Sequence, residues 1–351
     1  MALDTDRISI ATDQEPGQEF LEGLDARDPE FEAWLARERQ ARTGATGAVV
    51  PNAVLLDPAR ATLCILSSGD PGDPLRLLED LFADATARTV DESLPIRVVR
   101  TPPSPAPPGL LIATVQAIAL GDGSSMLRVA LDAVEGHRMI WSEICQVPLR
   151  GALDINTPEF LGLSNRLVAA VAGALRTPAS PIVDDLDAAM EALLAVDDIF
   201  SIEPARLDRA RTRLEQAIEI DPRGVYHGWL AQLRVIQAVE RFVDQDSIVS
   251  EARFHCARAL ELEPCNSTVL ATAASTRLIL EQDIAVSGEL ARAAVQANPA
   301  NPFARATLSI AQLYYGRIEE AQASAKRAQI LAAGSRLRFW AEFELALTSA
   351  L

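Results

Sequence analysis

Three histidines and four cysteines are the side chains here best suited to hold a metal or carry a nucleophile. His137, His227 and His255 lie far apart in the chain, and none has a second ligand-type residue at metal-binding spacing. His255 beside Cys256 is the nearest approach to a pair, but adjacent residues on a helix point about 100° apart, so a packing role is expected. Cys64, Cys145, Cys256 and Cys265 share no C-x-x-C or regular spacing. Each sits in an apolar or helical stretch, which reads as buried thiols in a reducing compartment. Gly69-Asp-Pro-Gly72 follows an apolar run, where a phosphate-binding loop can sit. It lacks the Lys-Ser/Thr of a P-loop and is not G-x-G-x-x-G. Prolines 71 and 74 also remove backbone donors, so a plain turn is expected. No G-x-S-x-G elbow occurs. Arg206, Arg209 and Arg213 share a helical face that could grip an anion, but Asp208, Glu215 and Glu219 lie among them, as on a solvated, salt-bridged face. No catalytic residue, cofactor-binding residue, cofactor or metal ligand is assigned, and no enzymatic activity is expected.

The elements that would position any site divide the chain into parts. Residues 61–67 form a compact apolar run, read as a buried strand, and 68–74 a turn cluster. A helix is predicted from Leu75 to about Asp91, with Leu77, Leu78, Leu81 and Phe82 at helical spacing. Residues 96–100 form a second strand that closes a βαβ unit. Five prolines in 102–108 make a stiff connector. Residues 110–119 and 126–133 flank Gly121-Asp-Gly-Ser-Ser125 as a hairpin, in which Leu127, Val129 and Leu131 alternate with Arg128 and Asp132. Residues 138–149 are a third extended run. Thr157 and Pro158 then open a helix to about Leu175. Prolines 178 and 181 mark a boundary, and everything beyond it reads as helix.

Two small residues seven apart, then a residue five further on that is usually proline, recur in that last third. The sets are Ala210, Ala217, Pro222; Ala252, Ala259, Pro264; and Ser287, Ala294, Pro299. A fourth, Ala321 and Ala328, ends in Ala333. Small residues at that spacing lie on one helix face, where a neighbouring helix can approach closely. Such repetition marks stacked helical arrays, which bind partners and rarely do chemistry. The interval from Pro222 to Pro264 is the longest, so extra residues should loop or extend a helix near 242–247.

The chain carries 49 acidic against 32 basic residues, a formal charge of −17. That surface repels phosphate backbones, so no direct nucleic-acid contact is expected. The N-terminus has neither a basic n-region nor an apolar h-region, and no run reaches membrane-spanning length. A cytoplasmic protein without membrane contact is expected. Residues 1–40 hold eleven acids and four arginines. Within them 28–39 reads as a short helix, with Asp28 as cap, Pro29 at its first position and a stripe of Phe31, Trp34 and Leu35.

Residues 183–351, with their small pairs, their prolines and Gly316 before Arg317-Ile-Glu-Glu-Ala321, resemble tetratricopeptide (TPR) repeats. The tryptophan, tyrosine and glycine usual in the first helix of that family are mostly replaced, with Leu308, Ser309 and Gln312 in three such positions. Residues 61–176 resemble the TolB-like domain found upstream of TPR arrays in bacterial adenylate cyclases and transcription factors. Leu131, Asp132, Ala133, Gly136, Trp141 and Ser142 carry that likeness. Residues 17–24 and 31–39 resemble part of the helical domain of SARP-type transcription factors, here without a winged helix before it. The resemblances imply an α+β multidomain protein: an acidic segment (1–45), a linker (46–60), a small α/β TolB-like domain (61–178) and an all-α TPR-type helical solenoid (183–351). They further imply a non-enzymatic regulator that binds another protein, a fellow regulator or the transcription machinery. Alternatives are a small-molecule sensor and the regulatory module of a nucleotide cyclase. In family register the first helix of each repeat lines the inner groove. That makes Trp229 and Tyr314 candidate protein-binding residues, beside the Phe31, Trp34, Leu35 stripe.

Overall fold

A computed structural model describes residues 61–70, 72–94, 96–107, 109–120, 124–134, 138–148, 157–175, 184–240, 245–333 and 337–350. The Phe31, Trp34, Leu35 stripe, the acidic segment and His137 lie outside the described residues. Residues 58–351 form one compact unit.

The first half is a five-stranded sheet of β1 (Thr62–Ser67), β2 (Arg97–Val99), β3 (Leu111–Ala119), β4 (Ser124–Ala133) and β5 (Arg138–Pro148), in the order β2-β1-β3-β4-β5. β1 runs parallel to both β2 and β3, and β3, β4 and β5 form an antiparallel meander. Helix α1 (Pro74–Ser93) is the crossover of the predicted βαβ unit. Asp73 caps it by accepting from Leu75 N at 2.9 Å, and proline stands at its first turn, where no donor is missed. Alternate strand residues, Leu63 and Ile65, Ala113 and Val115, Leu127, Val129 and Leu131, are buried in one core with α1 and α2 (Pro158–Leu175). Phe82 of α1 meets Phe160 of α2 edge-on at 5.3 Å, and the buried Thr86 and Ser164 hydroxyls pair at 3.0 Å between them. The outer face of β5 presents Ser142, Ile144 and Gln146 to solvent. Pairing across β4 and β5 slips by one residue at Leu131/Asp132, which leaves Ile140 as a bulge beside Trp141.

The second half is helical: α3 (Asp184–Ile199), α4 (Pro204–Ile220), α5 (Gly224–Val239), α6 (Gln245–Leu262), α7 (Ser267–Glu281), α8 (Ile284–Ala297), α9 (Pro302–Tyr314), α10 (Ile318–Leu331) and α11 (Arg338–Ser349). Neighbours in sequence pack as antiparallel pairs. Across α3 and α4, Asp198 pairs with Arg206 while Glu191 pairs with Arg213. The first helices of successive pairs, α5, α7 and α9, also pack on one another. The chain is thus α+β, a small sheet followed by a run of helices.

All eight small residues of the recurring pattern are at most 1 % exposed. Their helices α4, α6 and α8 end at Ile220, Leu262 and Ala297, each just before its proline, whose ring and missing N–H would break the helix. Asn266, Asp283 and Asn301 cap α7, α8 and α9 through side-chain oxygens that accept from backbone N–H groups. Gly316 takes φ +74°, a left-handed turn that ends α9 at little steric cost. The longer interval is taken up partly in α6, whose 18 residues exceed the 14 of α8; residues 242–244 lie outside the described residues.

Candidate functional site

Most of the chemistry-bearing groups singled out in the sequence are engaged within the chain; Cys265 is an exposed free thiol, against the burial expected of it, and His137 lies outside the described residues. At the end of β1, Gly69 N donates to Glu79 Oε2 at 2.9 Å, and Arg76 Nη1 donates to Gly69 O at 2.6 Å. Glu79 is fully buried and its other oxygen accepts from Ala117 N at 2.7 Å. The turn therefore spends its Gly69 donor on its own helix. Beside it, Asp80 accepts from Ser67 and Arg100, each at 2.7 Å, and pairs with Arg76.

Arg206 and Arg209 do grip an anion, but it is Asp198 of α3, 4 % exposed, with both contacts at 2.9 Å. Arg213 approaches the same carboxylate at 3.6 Å. The Arg209 hydrogen bond, helped by Arg206, holds the Asp198 carboxyl below the usual range against its burial. The salt-bridged face expected from the interleaved acids exists, with its principal acid supplied by the preceding helix.

His227 on α5 and His255 on α6 meet across the helix pair, Nδ1 to Nδ1 at 3.0 Å. Burial pushes His227 down to about 4, and burial with the nearby Arg234 lowers His255. Both rings are held below their ordinary range and so are neutral at physiological pH, with one donating to the other. The packing role expected for His255 is filled by a partner that no spacing rule indicates, since His227 lies 28 residues away and is delivered only by the register of α5 against α6. Cys256, fully buried, is pushed up to about 12, and Cys145 to about 11, also by burial, which leaves them as thiols. Among the described residues no three His, Cys, Asp or Glu side chains converge as a metal site.

A larger feature lies where the sheet's helices meet the ends of the array. Ser267, the first residue of α7, donates to Glu92 of α1 from Oγ at 2.5 Å and from N at 3.3 Å. Asn298, just past α8, donates to Glu92 Oε2 at 2.8 Å. A carboxylate at a helix N-terminus is favoured by the helix dipole, while burial pushes the Glu92 carboxyl up. Asn165 of α2 donates from Nδ2 to Ala300 O at 2.8 Å and Leu331 O at 3.1 Å.

Next to these contacts is a cavity of about 560 Å³. Its polar rim includes Glu92, Asn165, Thr268 and Asn301; its apolar walls include Val168, Ala172, Val196 and Trp229. Tyr226 also lines it, 2 % exposed, with a buried hydroxyl beside the Arg223 guanidinium. Burial pushes that phenol up to about 12, and the neighbouring Arg223 offsets part of the rise.

The structure separates the candidate binding residues. Trp229 is 8 % exposed, edge-on to Phe200 at 5.9 Å and tilted against Phe303 at 5.1 Å, while it also lines the cavity. Tyr314 is 55 % exposed at the end of α9, beside the exposed Tyr315 and Ile318. The junction residues Glu92, Asn165 and Asn298 were not singled out by sequence. Only Asn301, a capping residue before a proline and an apolar run, carried a readable signal. Among the described residues no helix is long and apolar enough to cross a membrane. No protein-family model matches the chain, and no curated protein matches it either.

Proposed function

We propose that this chain is a non-enzymatic regulatory protein that binds another protein through a TPR-type solenoid, in transcriptional regulation and without contacting DNA itself. The single observation that carries the reading is the burial of all eight small residues between antiparallel helix pairs, each set followed by the end of its helix. The βαβ unit and bulged hairpin agree with a TolB-like domain ahead of the array. Tyr314, Tyr315 and Ile318, around the turn from α9 to α10, are each exposed, as apolar side chains at protein contacts are. The charge of −17 supports action through a partner that reads DNA.

The test uses the purified chain and a partner regulator from its own cells. The Tyr314→Ala variant should bind that partner several-fold more weakly at an unchanged melting temperature, because the ring is exposed. The chain alone should give no DNA mobility shift at low salt, where weak electrostatic binding is strongest. Undiminished binding by the variant, or a shift without partner, would overturn the reading. A second reading, a small-molecule sensor, is favoured by the cavity between the sheet's helices and the array.

A further inference from the structure

We infer that the junction cavity takes an uncharged, mainly apolar ring compound that carries a hydroxyl or similar hydrogen-bonding group. The inference rests on the sensor reading and names its ligand class. At about 560 Å³ the cavity falls within the roughly 300–1,000 Å³ typical of small-molecule sites.

Charge selects against most metabolites. Among the described residues no lysine or arginine lines the cavity, and its charged lining residues are Glu92 and Asp197. An anion would meet these carboxylates at the lining, with Arg88 and Arg223 set back behind it. A cation fares little better: both oxygens of Glu92 already accept hydrogen bonds, and Asp197 has a partner as well.

Shape and polarity then describe what does fit. Phe200 and Phe303 hold the Trp229 ring in place, so it offers a fixed aromatic wall that loses little freedom when a ring packs on it. Asn165 is oriented by the two carbonyls that accept from its Nδ2, which leaves Oδ1 as an acceptor with no donor among the described residues. Thr268 Oγ1 accepts from Asn301 at 2.9 Å, and its own proton has no acceptor among the described residues. The Tyr226 hydroxyl, buried on the same wall, lies beside the Arg223 guanidinium. A ligand hydroxyl can donate to Asn165 Oδ1 or accept from the Thr268 hydroxyl, both on the cavity lining.

The probe is 1-naphthol, an uncharged ring with one hydroxyl, set against naphthalene-1-sulfonate, the same ring with a fixed negative charge. Both are titrated calorimetrically into the full chain at pH 7. The blocking variant is Ala169→Phe with Gly173→Phe, four residues apart on the cavity face of α2. A Cβ at Gly173 meets nothing within 4 Å, so the backbone tolerates it. We expect saturable 1-naphthol binding, sulfonate binding weaker by about tenfold or more, and loss of 1-naphthol binding in the doubly substituted chain at an unchanged melting temperature. Undiminished 1-naphthol binding in that variant overturns the location. Sulfonate binding that is equally tight and lost in the variant overturns the uncharged class while the sensor reading stands. Failure of both probes to bind the folded chain removes the sensor reading and, with it, this inference; Tyr314→Ala still tests the protein-binding reading separately.

Discussion

A single carboxyl, Glu344, stands out for what it lacks. It is 2 % exposed on α11, its Oε2 has no hydrogen-bond partner, and burial alone pushes it up to about 8 from an ordinary 4.5. The sign follows from which state holds the proton. Between about pH 4.5 and 8 the unfolded chain has released it while the folded chain still binds it, so stability is complete below that window and falls as pH rises through it. Each pH unit of that gap costs about 1.4 kcal/mol. Glu344→Gln removes the titration but leaves a buried amide to satisfy, which returns part of the gain. The expected result is a variant more stable than wild type by roughly 1–3 kcal/mol at pH 8, with little or no advantage at pH 5. Thermal melts of both proteins at the two pH values decide it, and an equal difference at both would show that Glu344 does not titrate as its burial implies. Asp198, by contrast, is a buried acid held charged by arginines, so the two sites separate burial with partners from burial without.

At the scale of helices, close approach is the governing requirement. A Cβ on Gly224, at the start of α5, would stand 2.7 Å from Ala259 O of α6, and one on Gly228 would stand 2.8 Å from Thr272 Oγ1 of α7. Backbones this near leave room for small side chains only, which is why Ala252 and Ala259 are buried there. Ala259→Leu should overpack the α5–α6 contact and cost about 1–3 kcal/mol, measured by denaturant unfolding. A loss under about 0.5 kcal/mol, normal for surface substitutions, would mean that the contact yields. This layer of the fold was legible in sequence because it is local. Seven-residue spacing, a proline after each helix, and alternation of Leu127, Val129 and Leu131 with Arg128 are set by neighbours along the chain. What could not be read depends on register between helices far apart in sequence. His227 finds His255, and Arg206 and Arg209 find Asp198 instead of the acids on their own helix, because antiparallel pairing sets facing residues that no spacing rule encodes. The junction cavity is a further remove, since its walls come from both halves of the chain.

Across the whole molecule, the sheet and the array are joined at helix ends, where backbone groups still need partners. α1 supplies most of the hydrogen bonds across the junction: Glu92 accepts from Ser267 and Asn298, Asp91 O accepts from Arg223 Nη2 at 2.9 Å, and Arg88 Nη1 donates to Ala297 O at 3.2 Å. Asn165 of α2 adds two bonds to the loop before α9 and the end of α10. Halves tied in this way should melt together, because neither can leave without exposing buried donors and acceptors. Glu92 is the test, since it engages two separate helix ends with one side chain. Glu92→Ala strands the Ser267 N–H and hydroxyl and leaves the Asn298 amide only its long bond to Thr89 Oγ1 at 3.4 Å, at a cost of about 1–3 kcal/mol. Differential scanning calorimetry should show one transition for wild type, and in the variant a lower melting temperature with the transition broadened or split into sheet and array components. The aromatic contacts of Trp229 with Phe200 and Phe303 lie within the array, so tryptophan emission from that cluster should follow the array component. A variant that melts as one unit at the wild-type temperature would mean that the junction is held by apolar packing around the cavity, with Glu92 contributing nothing.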